Sequence, residues 1–180
     1  LFDSSGKLIK KFGKSDFSDY TNNRSAALYV DDRILVFKPV ATNYPYTVKY
    51  SYETNTSNTV YLNNFLPYRS FDVALQKSEL TITNNSGIKI RTKISDKPLA
   101  KVLRSEEGNV SKFSYENIPA LKEEELSPSI DYLLPKVEFS PEKFSLAGKQ
   151  GDLTDWNSFG KWYYSQLINP VSSITPEISA

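Results

Sequence analysis

The chain has 180 residues, 39% hydrophobic and 24% charged, with twelve tyrosines but no histidine and no cysteine. Those absences exclude thiolate nucleophiles, imidazole acid–base catalysis and the Cys/His ligand sets of most zinc and iron sites. The 22 basic and 21 acidic residues are interspersed and nearly cancel, so no long-range field steers the chain to nucleic acid or acidic membranes.

A high aromatic content of 13% led by tyrosine leans toward β structure. The expectation is one β-rich domain over residues 1–169, with 170–180 as a linker toward a following domain. A domain of this length buries roughly 70% of its unfolded surface. No apolar run approaches the ~20 residues that a membrane-spanning helix needs.

The opening LFDSSGKLIKKF puts Ser4, Ser5 and Gly6 between short apolar runs, which predicts a tight turn. Its first arm holds only Leu1 and Phe2, so further strand residues are expected before Leu1 in the parent protein, and any signal peptide is already removed. Lys14 to Arg24 reads as loop with one helical turn. Ile34 to Phe37 is a short apolar strand stopped by Pro39.

YPYTVKYSYE alternates cleanly and is the clearest strand in the sequence. Tyr46, Val48, Tyr50 and Tyr52 share one face, expected to be half-buried, and Thr47, Lys49, Ser51 and Glu53 share the other. From Phe71 to Tyr115 the pattern predicts a four-stranded up-and-down sheet. Its apolar parity changes between Leu75 and Leu80, which predicts a bulge or bend near Gln76 to Glu79. Asn84 to Gly87 forms a turn, Ile88, Ile90 and Ile94 share one face with Lys89, Arg91 and Lys93 on the other, and a hairpin joins Leu99–Arg104 to Val110–Tyr115 through EEGN.

Lys122 to Glu125 is charged, and Pro128, Pro135 and Pro141 then predict a path that wraps the surface without joining a sheet. The last element is a helix from Asp155 to Asn169, with Thr154 as its cap and Pro170 as its stop. Trp156, Phe159, Tyr163 and Leu167 form the expected inward stripe, with Gly160 within it for a close backbone approach. Trp162 falls off that stripe, which makes it a contact either for another part of the domain or for a neighbouring one.

Sequence motifs for chemistry are weak. Gly13-Lys14-Ser15 ends like a phosphate-binding loop, but Leu8 stands where the first glycine belongs. Asp31 with Asp32 and Glu123 to Glu125 are the densest carboxylates and lack the spacing of a calcium loop. A Ser-x-x-Lys pair at a helix start that follows a strand is not expected. Asn23, Asn55, Asn84 and Asn109 open Asn-x-Ser sequences, which agree with exposed loops. Neither a cofactor, nor a metal, nor a catalytic residue is therefore expected. Aromatic residues carry the remaining signal, and Trp162, Tyr44, Tyr68 and Arg69 are the candidate interface or ligand contacts.

Four stretches, LFDSSGKLIKKF, YPYTVKYSYE, YENIPALKEEELSP and DWNSFGKWYYSQL, resemble in the same order the domain of unknown function DUF3857, in particular its Bacteroidetes members. That resemblance implies an antiparallel β-sandwich with a C-terminal helix, placed before a transglutaminase-like domain in an exported, periplasmic or cell-surface protein. The neighbour would carry the Cys-His-Asp chemistry, and this chain would be a noncatalytic accessory. Tyr68 and Arg69 stand where the family more often has tryptophan. The alternative reading is a carbohydrate- or peptide-binding module that uses exposed aromatics.

Overall fold

The computed structural model describes residues 1–21, 33–40 and 43–168. The chain divides into two compact units, Leu1–Thr54 and Asn55–Ala180. The tail from Pro170 lies outside the described residues.

In the first unit Asp3 organises the opening turn. Its carboxylate accepts hydrogen bonds from the Ser5 amide at 2.9 Å, the Ser5 hydroxyl at 2.7 Å and the Lys7 amide at 2.9 Å, and Phe2 bridges Leu8 across the turn. Lys14–Asp16 makes one 3₁₀ turn, followed by a strand, β1 (Ser18–Thr21), where loop was expected. The apolar run at Ile34 forms β2 (Arg33–Val36), antiparallel to β1. Phe37 packs against Phe12 and Phe17, with ring centroids 4.5 and 5.2 Å apart.

The tyrosine-rich segment departs from its expectation. Among the described residues Thr47 is its one bridged residue, exchanging both backbone bonds with Phe2 at 2.9 Å, and the face expected to be half-buried leaves Tyr50 and Tyr52 80% and 81% exposed. Alternation records how side chains divide between two faces, whereas a buried strand also needs neighbours for its backbone and that face.

The second unit is a sandwich of antiparallel strands. β3 (Leu75–Thr83), β5 (Leu103–Glu107) and β6 (Val110–Ile118) form one sheet in the order β3-β6-β5. β4 (Ile90–Ser95) does not join it. Instead it pairs with β7 (Lys136–Pro141), in register from Ile90 opposite Pro141 to Ser95 opposite Lys136. The expected single up-and-down sheet is thus two sheets, because Asn84 to Lys89 is long enough to carry the chain across to the second layer. Phe113, Val137 and Phe139 fill the space between them, with Leu80, Ile82, Ile90 and Ile94 packed around.

β7 overturns the surface path expected after Ile118. Pro135 precedes the strand and Pro141 ends it, positions where a missing amide proton is tolerated, while Val137 and Phe139 between them are buried. A further hairpin follows, β8 (Lys143–Leu146) and β9 (Lys149–Asp152), turning through Ala147 and Gly148. Both turn residues have positive φ, 49° and 77°, the backbone of a two-residue hairpin whose twist suits the strands.

The parity change along β3 is real, but no residue is inserted. Leu75 pairs with Ile118 and Lys77 with Glu116, so the register is continuous across the position between them. There Asn117 adopts φ 52°, which lets Ile118 turn inward on the same side as Phe113 and Tyr115. A second core cluster forms around it from Tyr68, Tyr115, Ile118, Leu134 and Ile130, the last at the start of a short helix, α1 (Ile130–Leu133).

The last helix is α2 (Trp156–Tyr163), continued by a wider π turn over Tyr164–Ile168. Its cap is Asp155 rather than Thr154, through a 2.7 Å bond from the Ser158 amide. The expected stripe is kept only in part, with Phe159 half-buried. Trp156 is 88% exposed and Tyr163 is exposed, whereas Trp162 is half-buried with its ring edge-on to Phe144 at 4.8 Å. Gly160 faces open space and makes no close approach. The close approach lies at Gly151, where a Cβ would overlap the buried Phe144 ring.

Tyr68 and Tyr115 share one core and differ in how their hydroxyls are satisfied. Tyr68 donates to the Pro119 carbonyl at 2.8 Å, while the Tyr115 hydroxyl has no partner among the described residues. Burial, with the Asp96 charge second, pushes Tyr115 up to about 12. In urea unfolding, Tyr68→Phe is therefore expected to lower stability by about 1 kcal/mol, and Tyr115→Phe to leave it unchanged or raise it.

Candidate functional site

The site with the most convergent features lies at the start of α2. Asp152, the last residue of β9, accepts the Thr154 amide at 2.7 Å, and the Leu153 amide donates to the Glu142 carbonyl at 2.7 Å, so the turn into α2 is held from both sides. Arg91 on β4 reaches under this turn. Its Nη2 donates to the Leu153 carbonyl at 2.6 Å and to Ser140 Oγ at 3.3 Å, and its Nη1 to the Thr154 carbonyl at 3.4 Å. Alternation puts Arg91 on the outer face of β4, and the crossing of the chain after β9 brings the turn to it.

These residues enclose a cleft of about 460 Å³ lined by Arg91, Ser140, Leu153, Trp156 and Phe159. Trp156 and Phe159 stand edge to face, 6.4 Å between centroids. The cleft therefore combines an indole wall with a guanidinium held in place by carbonyl oxygens. Such a combination suits a ligand with one flat apolar face and acceptors at its rim.

A second cleft of about 300 Å³ opens at the end of the sandwich, beside Asn84, Glu106, Asn109 and Ser111. Its polar groups are largely engaged with one another. Glu106 accepts from Arg104 and, at 3.4 Å, from Ser111, while the Asn109 amide side chain donates to Asn85 at 2.7 Å.

The four candidate residues are not gathered into one site. Tyr68 is 7% exposed and its hydroxyl is spent on Pro119, so it is a core anchor rather than a ligand contact. Arg69 next to it is exposed and donates to the Asn64 carbonyl at 3.3 Å. Tyr44, in the first unit, is 82% exposed and packs on Tyr46 at 5.2 Å. Trp162 lies between Phe144 and Phe159, with its indole nitrogen shielded. Trp156 and Arg91 are the residues missed from the sequence. Trp156 shares the helical stripe of Phe159, and Arg91 reads as an ordinary outward-facing strand cation.

The sequence motifs resolve as local structure, except that Ser158 and Lys161 do stand in Ser-x-x-Lys spacing at the start of α2, which follows β9. The Gly13 amide that a phosphate would need donates to Asp16 at 2.7 Å. Asp31 and Asp32 lie outside the described residues, and Glu123 to Glu125 are exposed. Among the described residues, no cluster of carboxylates could hold a metal ion.

The shifted carboxylates all move in one direction. The Ser5 hydroxyl lowers Asp3, the Arg104 guanidinium lowers Glu106, Lys136 lowers Glu138, the Thr154 side chain lowers Asp152, and the Ser158 amide lowers Asp155. A proton donor at neutral pH needs the opposite shift. For Asp155 the folded value lies below the ordinary 3.8, so its contribution is full above that value and lost as pH falls through the folded one. Asp155→Asn, which keeps a capping oxygen without the charge, is expected to flatten the loss of helical circular dichroism below about pH 4 that the unaltered chain undergoes.

Comparison with known proteins places this geometry in a family without assigning it an activity. No curated protein and no solved structure matches the chain. The family model of DUF3857, a domain of unknown function, matches residues 1–122. The match ends before β7, so the strand that completes the sandwich core and the helix carrying Trp156 lie beyond it. With two thirds of its length matched, from the opening turn through the β3-β6-β5 sheet, the chain belongs to the DUF3857 family.

Proposed function

We propose that the chain is a noncatalytic accessory domain that packs against a following transglutaminase- or cysteine-peptidase-like domain of an exported bacterial protein and helps present its substrate. The observation that carries this reading is the aromatic surface of the last helix, where Trp156, Tyr163 and Tyr164 are exposed. Burying a large apolar side chain contributes roughly 1.5–3 kcal/mol, and such residues anchor interfaces when a partner covers them. Of the two tryptophans, Trp156 is then the junction contact and Trp162 the contact within the unit. The composition supports the division of labour, since a chain without histidine or cysteine leaves nucleophile and base to its neighbour.

A carbohydrate- or peptide-binding module is the second reading, favoured by the cleft where Trp156 and Phe159 stand beside Arg91. A sugar ring stacks on an indole, and a guanidinium donates to hydroxyls or a carboxylate.

The two readings separate on one pair of variants. If the surface is a domain junction, Trp156→Ala with Tyr163→Ala weakens binding of this chain to the separately produced neighbouring domain by about 30-fold or more, and leaves the chain's own Tm in place. Unchanged affinity would sink the accessory reading. Binding of the isolated chain on a glycan or peptide array, lost in Trp156→Ala, would establish the second.

A further inference from the structure

Residues Tyr46 to Glu53 combine strand-like alternation with an exposed backbone edge. No turn or bend interrupts the chain from Tyr46 to Thr56. The rings of Tyr50 and Tyr52 stack 6.4 Å apart with 12° between their planes, so side chains two residues apart project to one side as in an extended strand. Thr47 directs both its backbone groups to Phe2. In an antiparallel ladder those groups alternate between the two edges, so Lys49, Ser51 and Glu53 address the Phe2 edge and Val48, Tyr50 and Tyr52 the opposite one. Among the described residues, nothing bonds to that opposite edge.

We propose that this edge pairs with the same segment of a second copy of the chain, antiparallel about a two-fold axis through Ser51. The register follows from the charges. Centring the pair on Ser51 puts Lys49 of one protomer opposite Glu53 of its partner, twice, and Tyr50 opposite Tyr52, twice. Moving the axis to Tyr50 or Tyr52 loses both ion pairs. In the Ser51 register the tyrosines of both copies form one continuous aromatic face, and the exposed rings of Tyr50 and Tyr52 gain cross-strand neighbours. The interface is isologous and closes on itself, as a self-complementary strand requires. It is independent of the helix surface assigned to a neighbouring domain.

The absence of native cysteine makes the axis directly testable. Ser51 falls in a non-hydrogen-bonded pair, where opposed Cα atoms lie about 4.5 Å apart, within disulfide reach. In the full chain under mild diamide oxidation, Ser51→Cys is expected to cross-link about tenfold faster than Lys149→Cys, a thiol at the exposed start of β9. By sedimentation equilibrium, the unaltered chain forms a dimer whose Kd rises about tenfold in Lys49→Glu and returns in Lys49→Glu with Glu53→Lys. Lys49 and Glu53 are exposed, so these changes leave the fold in place. A chain that stays monomeric, cross-linking rates equal at the two positions, or a dimer indifferent to the charge exchange would each overturn the proposal. So would a longer form of the protein that stays monomeric because another part of the polypeptide covers Tyr50 and Tyr52.

Discussion

The second unit depends on one strand. β6 pairs with β3 on one side and β5 on the other, and it sends Phe113 into the space facing the β4-β7 sheet and Tyr115 and Ile118 into the cluster with Leu134 and Ile130. Both clusters therefore hang on the inward residues of a single nine-residue segment. Simple alternation would have sent Ile118 outward. The positive φ at Asn117 corrects this at a modest local cost, since asparagine tolerates the left-handed region better than most residues. The second sheet is tied in by Phe65, which exchanges both backbone bonds with Val137 at 2.9 Å and stacks on Tyr115 at 5.0 Å.

The clefts and the helix surface follow from that arrangement. Because β4 crosses to the second layer, Arg91 lies where the chain leaving β9 can turn over it, and the carbonyls of Leu153 and Thr154 are satisfied by its guanidinium. α2 then docks through Trp162 against Phe144, with Phe159 stacked on Trp162, and the Phe144 ring lies over Gly151, which has no side chain to collide with it. Docking through that face leaves Trp156 outside. The aromatic residues thus divide into a buried set that holds the unit together and an exposed set on α2 available to a partner. That exposed set is what the proposed docking of a neighbouring domain rests on.

Much of the local structure was legible. The inward isoleucines of β4, the hairpin through Gly108 and the opening turn at Asp3 depend on short-range patterning and turn chemistry, which act over a few residues. Long-range partnership was not legible. Proline at either end of β7 resembled a surface path, yet only its interior residues needed amide protons for the ladder. In α2 the helical stripe identified an amphipathic element but not the side that docks. Tyr68 and Trp162 both looked like contacts, and the chain bends so that one is spent on Pro119 and the other on Phe144.

The sequence by itself determined the class of fold, the absence of histidine and thiol chemistry, and the family, because composition, alternation and turn residues are local properties that survive without knowledge of neighbours. Only the tertiary structure decided which strands share a sheet, which tyrosines are buried, and that Trp156 rather than Trp162 faces outward. Those outcomes depend on contacts between residues distant in sequence. Their free energy comes from which surfaces meet, and no single segment carries that information.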